Sequence, residues 1–202
     1  MTRRDCSLLM AGLAGAARLA AQGGDGTGPA VGEKIPAFAA LDQHGQRRDF
    51  ASLSGPNGLL LLFHRSADWC PYCKGQLVQL ERKREALAGR GVHLAAVSYD
   101  SVEILRHFAG RAGIGYPLLS DPDSKIIRDF GILNTSVAAD HPFHGIPNPG
   151  EYLVAPDGTV RSKFFEEAFQ DRFTAGRILV TEFGADAGGA RRTTETAHLK
   201  AT

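Results

Sequence analysis

The middle of the chain contains two hydrophobic patterns, an unbroken apolar run and a repeat with helical spacing. Residues 59–63 read LLLLF, and a continuous apolar run of this length is typical of a strand buried on both faces of a parallel sheet. Residues 71–88 instead place apolar side chains at helical spacing between polar ones, which predicts one amphipathic helix, ended by the glycines at 89 and 91. The residues at that spacing are Leu77, Leu80, Arg84 and Leu87.

The same two patterns organise the rest of the chain. Polar turn residues separate two short extended segments within residues 39–50, which predicts a hairpin. Alternation of strand and helix predicts parallel pairing, and the Asp157-Gly158 turn predicts an antiparallel hairpin. The expected fold class is therefore α/β, a central mixed β-sheet flanked by helices, with an N-terminal β-hairpin extension. Further strands are predicted at 92–97, 116–119, 151–155 and 160–165, and further helices at 102–112, 121–130 and 169–183.

The two ends of the chain differ in composition from the middle. Residues 1–22 combine a basic start, a short apolar stretch and small residues, as a secretory signal peptide does. Residues 23–30 predict a flexible linker, residues 31–183 the folded domain, and residues 184–202 a disordered tail. We therefore expect an exported protein, periplasmic or otherwise extracytoplasmic. The alternative is an N-terminal helix or a retained anchor, and the protein would be cytoplasmic if its N-terminus is not a signal.

Composition and charge narrow the classes of partner. The chain has 202 residues, enough for one domain with a full core, and its formal net charge of +1 gives no electrostatic reason to expect nucleic acid. The apolar stretch near the N-terminus is too short for a comfortable transmembrane span, so no transmembrane domain is expected. Three cysteines are too few for a disulfide scaffold. We expect neither a cofactor nor a resident metal.

Cys70 and Cys73 stand where the predicted buried strand gives way to the predicted helix. The free N–H groups and the positive dipole end at a helix start favour a thiolate, which is the nucleophilic form of cysteine. Cys73 lies one turn further on, and Pro71 lacks an N–H that would be unpaired there. The spacing predicts a catalytic dithiol that closes to a disulfide and reopens by exchange. The alternatives are half of a zinc site completed by His141 and His144, or a permanent structural disulfide.

The segment Trp69-Cys70-Pro71-Tyr72-Cys73-Lys74 resembles the WCxxC(K) motif of the thioredoxin superfamily. Within that superfamily the chain is most similar to the redoxin group over residues 31–178. This group comprises the peroxiredoxins of the alkyl hydroperoxide reductase/thiol-specific antioxidant type and their relatives with a CxxC. A second anchor of the resemblance is the segment 149–158, PGEYLVAPDG. The resemblance implies a thioredoxin fold and makes Pro149, or in competition Pro147, a cis-proline packed against the dithiol.

The family's motif for a peroxidatic cysteine is incomplete around both cysteines. Peroxiredoxins carry Pro-x-x-x-Thr-x-x-Cys and a supporting arginine. The threonine position holds Cys70 when counted from Cys73, and Ala67 when counted from Cys70. Pro149 stands where the family usually has the arginine. The comparison with the family's motif therefore favours disulfide exchange over peroxide reduction.

Residues beside the dithiol are candidates for supporting roles. Trp69 is the single tryptophan and is expected to form an apolar docking surface for the partner, the alternative being a packing residue. His64 and Asp68 are candidates for relaying a proton to the buried thiol, the alternative being ordinary polar residues at a strand end. The irregular segment 133–149 is expected to be a functional loop because of its length.

Three functions are compatible with these residues. The first hypothesis is an exported thiol–disulfide oxidoreductase in which Cys70 attacks a protein or small-molecule disulfide and Cys73 resolves the mixed disulfide, with an external thiol as reductant. The alternative is a thiol-dependent peroxidase that reduces hydroperoxides through a sulfenic acid. The third is a non-catalytic metal-binding or redox-sensing module.

Overall fold

The computed structural model of the protein describes residues 26–165, together with residues 177, 178, 181, 182 and 184. Within them the strands are β1 (Ala39–Asp42), β2 (Arg47–Asp49), β3 (Gly58–Phe63), β4 (Val92–Ser98), β5 (Leu118–Ser120), β6 (Gly150–Val154) and β7 (Val160–Phe165). They form one seven-stranded sheet with the order β2-β1-β5-β4-β3-β6-β7. The most apolar strand, β3, is in the interior of the sheet and is buried along its whole length.

The strand pairing is mixed, as the sequence predicts. Strands β3, β4 and β5 run parallel, with Leu60 opposite Leu94. Strand β6 pairs antiparallel with β3, placing Gly150 opposite Phe63, and β7 pairs antiparallel with β6. The predicted N-terminal hairpin is confirmed as β1–β2, which joins the sheet through an antiparallel pair between β1 and β5.

Alternate side chains of β3 enter two separate cores, one on each face of the sheet. The described helices are α1 (Phe50–Leu53), α2 (Pro71–Glu81), α3 (Arg84–Ala88), α4 (Val102–Ala112) and α5 (Lys125–Asp129). Leu60 and Leu62 pack against the apolar faces of α2 and α4. Leu61 and Phe63 pack on the opposite face, towards α5. This two-sided burial explains the uninterrupted apolar run, since both faces of the strand lack contact with water.

The single helix predicted over residues 71–88 is wrong, because the chain breaks between α2 and α3. Lys83 donates its backbone N–H to Leu80 O (2.9 Å) and leaves α-helical geometry, with φ −108° and ψ 0°. An unbroken helix would have carried Arg84 into the apolar stripe of Leu80. After the break Arg84 is on the surface, where it forms an ion pair with Glu81 (2.8 Å), while Leu87 remains buried.

The predicted boundaries are correct for α4 but not for α5. Helix α4 matches the predicted 102–112, since Ser101 caps its start and Gly113 ends it in the left-handed region (φ 67°). Helix α5 is shorter than the predicted 121–130. The Asp121 carboxylate accepts the N–H of Ile127 (2.9 Å), and Ser124 adopts a positive φ of 52°, so helical geometry begins only after Ser124.

The segment that leads into the domain is held against the sheet. The hydroxyl of Tyr152 and the ammonium of Lys163 both donate to Thr27, at 2.5 and 2.6 Å, and Asn148 donates to Gly26 O (3.1 Å). Gly28 adopts φ 68° and packs so closely that a Cβ there would lie 2.3 Å from the Tyr152 hydroxyl. Residues 26–30, assigned to the predicted flexible linker of 23–30, are therefore anchored by specific contacts.

Other predictions fall wholly or mostly outside the described residues. These are the signal peptide (1–22), most of the last helix (169–183) and the tail (184–202). Among the helices that the structure describes, none has the length and apolar character needed to cross a membrane.

Two glycines allow the docking of the N-terminal segment to be tested. Gly28 and Gly32 both have positive φ, but a Cβ at Gly32 would meet no atom within 4 Å. Alanine at either position is strained by roughly 1–2 kcal/mol, whereas only Gly28→Ala adds steric overlap, worth about 1–3 kcal/mol. We expect Gly28→Ala to lower the free energy of unfolding more than Gly32→Ala and to increase protease cleavage near Thr27. Equal effects of the two substitutions in chemical denaturation would contradict the docked arrangement.

Candidate active site

The dithiol lies at the carboxyl end of β3, where the chain turns into α2. Cys70 is the N-cap residue of α2, and its Sγ accepts a hydrogen bond from the backbone N–H of Cys73 (3.3 Å). Pro71 takes the first helical position, where its missing N–H leaves no bond unmade. The helix start therefore directs an N–H donor and the positive dipole end at the Cys70 sulfur.

Cys70 and Cys73 are joined in a disulfide, with their Cα atoms 5.3 Å apart. Only 1% of Cys70 is exposed, and Cys73 is fully buried. By contrast, Tyr72 in the first turn of α2 is 48% exposed. The structure thus shows the oxidised pair covered by its surroundings, with α2 presenting its first turn to solvent beside it.

The Asp100 carboxylate anchors the loop between β3 and the dithiol. It accepts hydrogen bonds from Ser66 Oγ (2.8 Å), from the backbone N–H of Ala67 (2.7 Å) and from Ser98 Oγ (2.8 Å). Ser66 Oγ in turn accepts from the backbone N–H of Asp68 (2.9 Å). Asp100 is 4% exposed, and buried charge-assisted hydrogen bonds of this kind hold a loop in one conformation.

Sequence reasoning missed this role of Asp100. Ser101 caps α4, accepting from the Ile104 N–H at 3.3 Å, whereas Asp100, one residue earlier, holds the active-site loop. A signal was present in the sequence, because polar residues follow two predicted neighbouring strands. Since the carboxyl ends of parallel strands meet at one edge of a sheet, Ser66 and Asp100 could have been paired.

Trp69 is held in place by aromatic and polar contacts and is only partly exposed. Its ring stacks on Phe143 (4.1 Å between centroids, 18° between planes), and its indole N–H donates to the Tyr99 hydroxyl (2.9 Å). The Arg65 guanidinium lies 4.8 Å from the ring centroid, within the range of a cation–π contact. Phe143 belongs to the irregular segment 133–149, so this loop covers the tryptophan next to Cys70.

Burial shifts the titration of two groups around Trp69. Burial raises the pKa of Tyr99 above its usual value, and the hydrogen bond from Trp69 opposes part of this rise. Burial also lowers the pKa of Arg65. Tyr99 is thus a neutral hydroxyl at physiological pH, able both to accept from the indole and to donate a proton.

The two residues that were expected to relay a proton to the thiol differ in exposure. His64 is fully buried directly after β3, and its backbone N–H donates to Val97 O (3.0 Å). The Asp68 side chain is exposed and lines an open cleft. The relay of a proton from either residue to the thiol stays a prediction.

The expected cis-proline is wrong. The described residues contain no cis peptide bond, so the bonds before Pro147 and Pro149 are both trans. The trans form is favoured by about 0.5–1 kcal/mol at X–Pro bonds in general, and nothing in the pairing of β6 reverses this preference. Pro149 does precede Gly150, the partner of Phe63 at the end of β3, so it lies at the dithiol's edge of the sheet.

A buried polar pair lies beneath α2 and was not predicted. Cys73 and Gln76 both belong to the buried face of α2, and the Gln76 amide donates to the carboxylate of Glu151. Glu151 is opposite Leu62 in β6 and is 1% exposed. The sequence contained one signal of this pair. Glu151 lies among the apolar residues of a predicted strand, and a carboxylate in a fully buried strand requires a partner.

The zinc alternative finds no ligand set in the part of the chain that the structure describes. No group of three or more His, Cys, Asp or Glu side chains there is arranged to hold a metal ion. His141 instead contacts Phe143 (5.2 Å between ring centroids) and accepts from the Phe143 backbone N–H through Nδ1 (3.1 Å).

The dithiol-bearing domain matches the family model described as AhpC/TSA family over residues 31–163. This match covers more than half of the chain and includes the whole segment from β1 to the dithiol and on to β7. The chain belongs to the AhpC/TSA family. The resemblance stated from the sequence is thereby confirmed.

Named relatives of this family are similar to the chain at modest identity. Peroxiredoxin 2 of Sulfuracidifex metallicus is 30% identical over 135 residues, 64% of this chain and 60% of the relative. A peroxiredoxin of Aeropyrum pernix is 27% identical over 148 residues, 69% of this chain and 56% of the relative. The chain thus spans less than two thirds of these two relatives. It covers 84% of peroxiredoxin Bcp of Escherichia coli, at 26% identity.

Solved structures of similar proteins confirm the fold. Peroxidoxin BcpB from Mycobacterium tuberculosis superposes with a TM-score of 0.61 at 21% identity, covering 69% of this chain and 88% of that one. Enterococcus faecalis AhpC gives 0.62 at 20% identity, covering 76% and 95%. The AhpC/TSA domain described here therefore has the thioredoxin fold.

Replacing Asp100 by asparagine tests whether its carboxylate anchors the active-site loop. An amide has one oxygen to offer where the carboxylate offers two, so Asp100→Asn leaves a buried donor unmatched at a cost of about 1–3 kcal/mol. We expect a lower free energy of unfolding and an altered fluorescence of Trp69 in the folded state. Asp123→Asn, at an exposed position, is the matched control. A variant as stable as the control, with unchanged Trp69 emission, would contradict the anchoring role.

Proposed function

We propose that the protein is a thiol-dependent peroxidase that reduces hydroperoxides through Cys70 and Cys73. The observation that carries this proposal is the AhpC/TSA match across the dithiol-bearing domain, together with named relatives that are peroxiredoxins. It reverses the order of the hypotheses drawn from the sequence, in which disulfide exchange came first. The position of Cys70 supports it, because a helix start stabilises the thiolate that must attack the peroxide.

Cys70 is assigned as the attacking residue because its sulfur faces the N-terminus of α2. The Cys70 thiolate attacks one peroxide oxygen, the O–O bond breaks, and the leaving alkoxide or hydroxide takes up a proton. Cys70 is then a sulfenic acid. The Cys73 thiol condenses with it, forming the Cys70–Cys73 disulfide and releasing water. Two electrons have passed from the dithiol to the peroxide, and the disulfide is the state seen in the structure.

The oxidised dithiol must then be reduced from outside. An external thiol attacks the disulfide, and exchange returns both cysteines to the reduced form. Cys70 and Cys73 are almost fully buried when oxidised, so reduction requires the cover of the site to open. We assign this opening to the release of Trp69, the residue before Cys70, from its contacts with Phe143 and Tyr99.

Disulfide exchange is the second candidate function, and one observation favours it. The WCPYC segment closes into a disulfide over a single helical turn, which is the arrangement that exchange requires. In this reaction Cys70 attacks a disulfide of the substrate, and Cys73 releases the reduced substrate.

Substitution of each cysteine tests the peroxidase. In a hydroperoxide assay driven by dithiothreitol, Cys70→Ser should consume peroxide no faster than buffer, because the attacking thiolate is gone. Treated with hydroperoxide after removal of dithiothreitol, Cys73→Ser should accumulate a sulfenic acid on Cys70, detectable by mass spectrometry after labelling with dimedone. Cys6→Ser, which changes the cysteine outside the pair, is the control and should leave the rate unchanged.

The same variants distinguish exchange from peroxide reduction. If the wild-type protein consumes peroxide no faster than Cys70→Ser but reduces a protein disulfide such as that of insulin, exchange is the function. Cys73→Ser would then accumulate mixed disulfides through Cys70 rather than a sulfenic acid.

We also propose that the protein acts outside the cytoplasm, on the basis of the basic start and apolar stretch in residues 1–22. Expressed in a Gram-negative host with a C-terminal tag, the full chain should be recovered from the periplasm with its N-terminus shortened near residue 22. A variant without residues 1–22 is the control and should stay in the cytoplasm. An intact Met1 on protein found only in the cytoplasm would refute the export proposal.

A further inference from the structure

A buried amide lies one helical turn beyond Cys73, on the same face of α2. Gln76 is 4% exposed, and both residues belong to the side of α2 that is buried against the sheet. Residues three apart in a helix have their Cβ atoms about 5–6 Å apart, and a helical side chain leans towards the N-terminus of its helix. The Gln76 side chain is therefore directed back over the turn that carries the Cys73 sulfur.

The two ends of this amide differ in their hydrogen bonding. Gln76 Nε2 donates to the carboxylate of Glu151. An ionised carboxylate only accepts hydrogen bonds, so it determines which end of the amide faces it. The other end, Oε1, is buried and receives no hydrogen bond within the part of the chain that the structure describes. The accepting capacity of Oε1 is thus unused in the oxidised protein.

A buried acceptor without a donor is disfavoured, because its hydrogen bond with water is lost and not replaced. Such atoms are uncommon in folded proteins, and each one requires a physical explanation. The neighbouring residues on this face of α2, Leu77 and Leu80, are apolar and pack in the core. A polar side chain at Gln76 therefore has to be explained by its own surroundings, which are Glu151 and the dithiol.

Reduction of the disulfide creates a new hydrogen-bond donor next to this acceptor. In the structure the Cys73 sulfur is bonded to that of Cys70 and carries no hydrogen. Cys73 is fully buried, and burial favours a neutral thiol over a thiolate. A neutral thiol is a weak donor. The start of α2 favours the anion on Cys70 instead, so the reduced pair has its thiolate at Cys70 and its S–H at Cys73.

We infer that Gln76 is a positioning residue of the dithiol, whose Oε1 accepts a hydrogen bond from the Cys73 thiol in the reduced protein and loses this donor on oxidation. Glu151 holds the amide in the orientation that presents Oε1 to the sulfur. The bond stabilises the reduced pair relative to the disulfide and so raises the midpoint potential. The inference rests on the proposed redox cycle of Cys70 and Cys73, and it applies equally to peroxide reduction and to disulfide exchange.

The hydrogen bond forms and breaks once in each cycle. When dithiothreitol reduces the pair, one of its thiolates attacks Cys70 Sγ, and Cys73 leaves as a thiolate that takes up a proton. The second thiol of dithiothreitol closes the cyclic disulfide and releases Cys70, so one dithiol supplies both electrons. In the proposed oxidation the proton of Cys73 leaves with the hydroxyl of the Cys70 sulfenic acid as water. Gln76 itself neither gains nor loses a proton.

The test measures the redox equilibrium of the pair in the full-length chain carrying Cys6→Ser. The protein is equilibrated at pH 7 with reduced and oxidised dithiothreitol or glutathione, whichever buffer spans the transition. After acid quenching, the thiols are alkylated in denaturant and counted by mass spectrometry. Gln76→Met keeps the length of the side chain and removes the carbonyl. We expect it to lower the equilibrium constant for reduction about two- to tenfold, as for loss of one hydrogen bond. A tenfold change corresponds to a midpoint potential about 30 mV lower.

Gln79→Met is the matched control, because Gln79 is an exposed residue of the same helix, and it should leave the equilibrium constant unchanged. The bond between Gln76 and Glu151 is lost in both redox states of Gln76→Met, so its loss cancels in the potential. Chemical denaturation of the reduced and the oxidised protein is the second measurement. Gln76→Met should destabilise the reduced form more than the oxidised form, by the same factor as the redox equilibrium. Gln76→Leu should repeat both results.

Several results would overturn the inference. These are an equilibrium constant of Gln76→Met within twofold of the parent, a shift towards easier reduction, or equal destabilisation of both redox forms. Peroxide consumption by the parent, driven by dithiothreitol, is measured in parallel. If that activity is absent while the potential shifts as expected, the proposed peroxidase fails and the role of Gln76 stands. If peroxide is consumed and the potential does not move, the role of Gln76 alone fails.

Discussion

The carboxylate of Asp100 fixes the relation between the sheet and the dithiol. It joins the loop after β3 to the loop after β4 through two hydrogen bonds, from Ser66 and Ala67, so the approach to Cys70 is set by a buried group just after the neighbouring strand. The arrangement depends on the parallel pairing of β3 and β4, which brings both loops to one edge. Without this tie the six residues between β3 and Cys70 would lose their anchor at Ser66 and Ala67 and would be held only at their two ends, by the backbone of His64 and the ring of Trp69.

The dithiol has two kinds of surroundings, buried packing on one side and a loop contact on the other. Beneath it, β3 is buried on both faces and α2 packs on the sheet through Cys73, Leu77 and Leu80. Above it, Phe143 from an irregular loop closes on Trp69. Buried packing resists displacement, whereas a loop contact can open locally at much smaller cost in free energy. In the proposed peroxidase cycle, which first forms a sulfenic acid and then admits a reductant, the dithiol needs both kinds of surroundings.

Much of this architecture could be predicted from local sequence patterns. The apolar run of β3, the capped helix α4 and the N-terminal hairpin each have a signal contained within one segment. The features that were missed depend on contacts between segments. The break before α3 keeps Arg84 out of the apolar stripe that packs on the sheet. The pairing of Gln76 with Glu151 joins a helix to a strand 75 residues away. The trans peptide bond at Pro149 was missed because the isomer was inferred from the family's pattern, and the local sequence does not fix the isomer of an X–Pro bond.

The position of Cys70 at the start of α2 affects its two redox states unequally. In the reduced state the sulfur can carry a full negative charge that the N–H of Cys73 and the helix dipole stabilise, whereas a disulfide sulfur carries none. An attraction of about 0.3–1 kcal/mol for an anion at a helix start corresponds to roughly 6–20 mV for a two-electron couple. The helix therefore shifts the midpoint potential of the pair upwards, which makes the oxidised form easier for an external thiol to reduce.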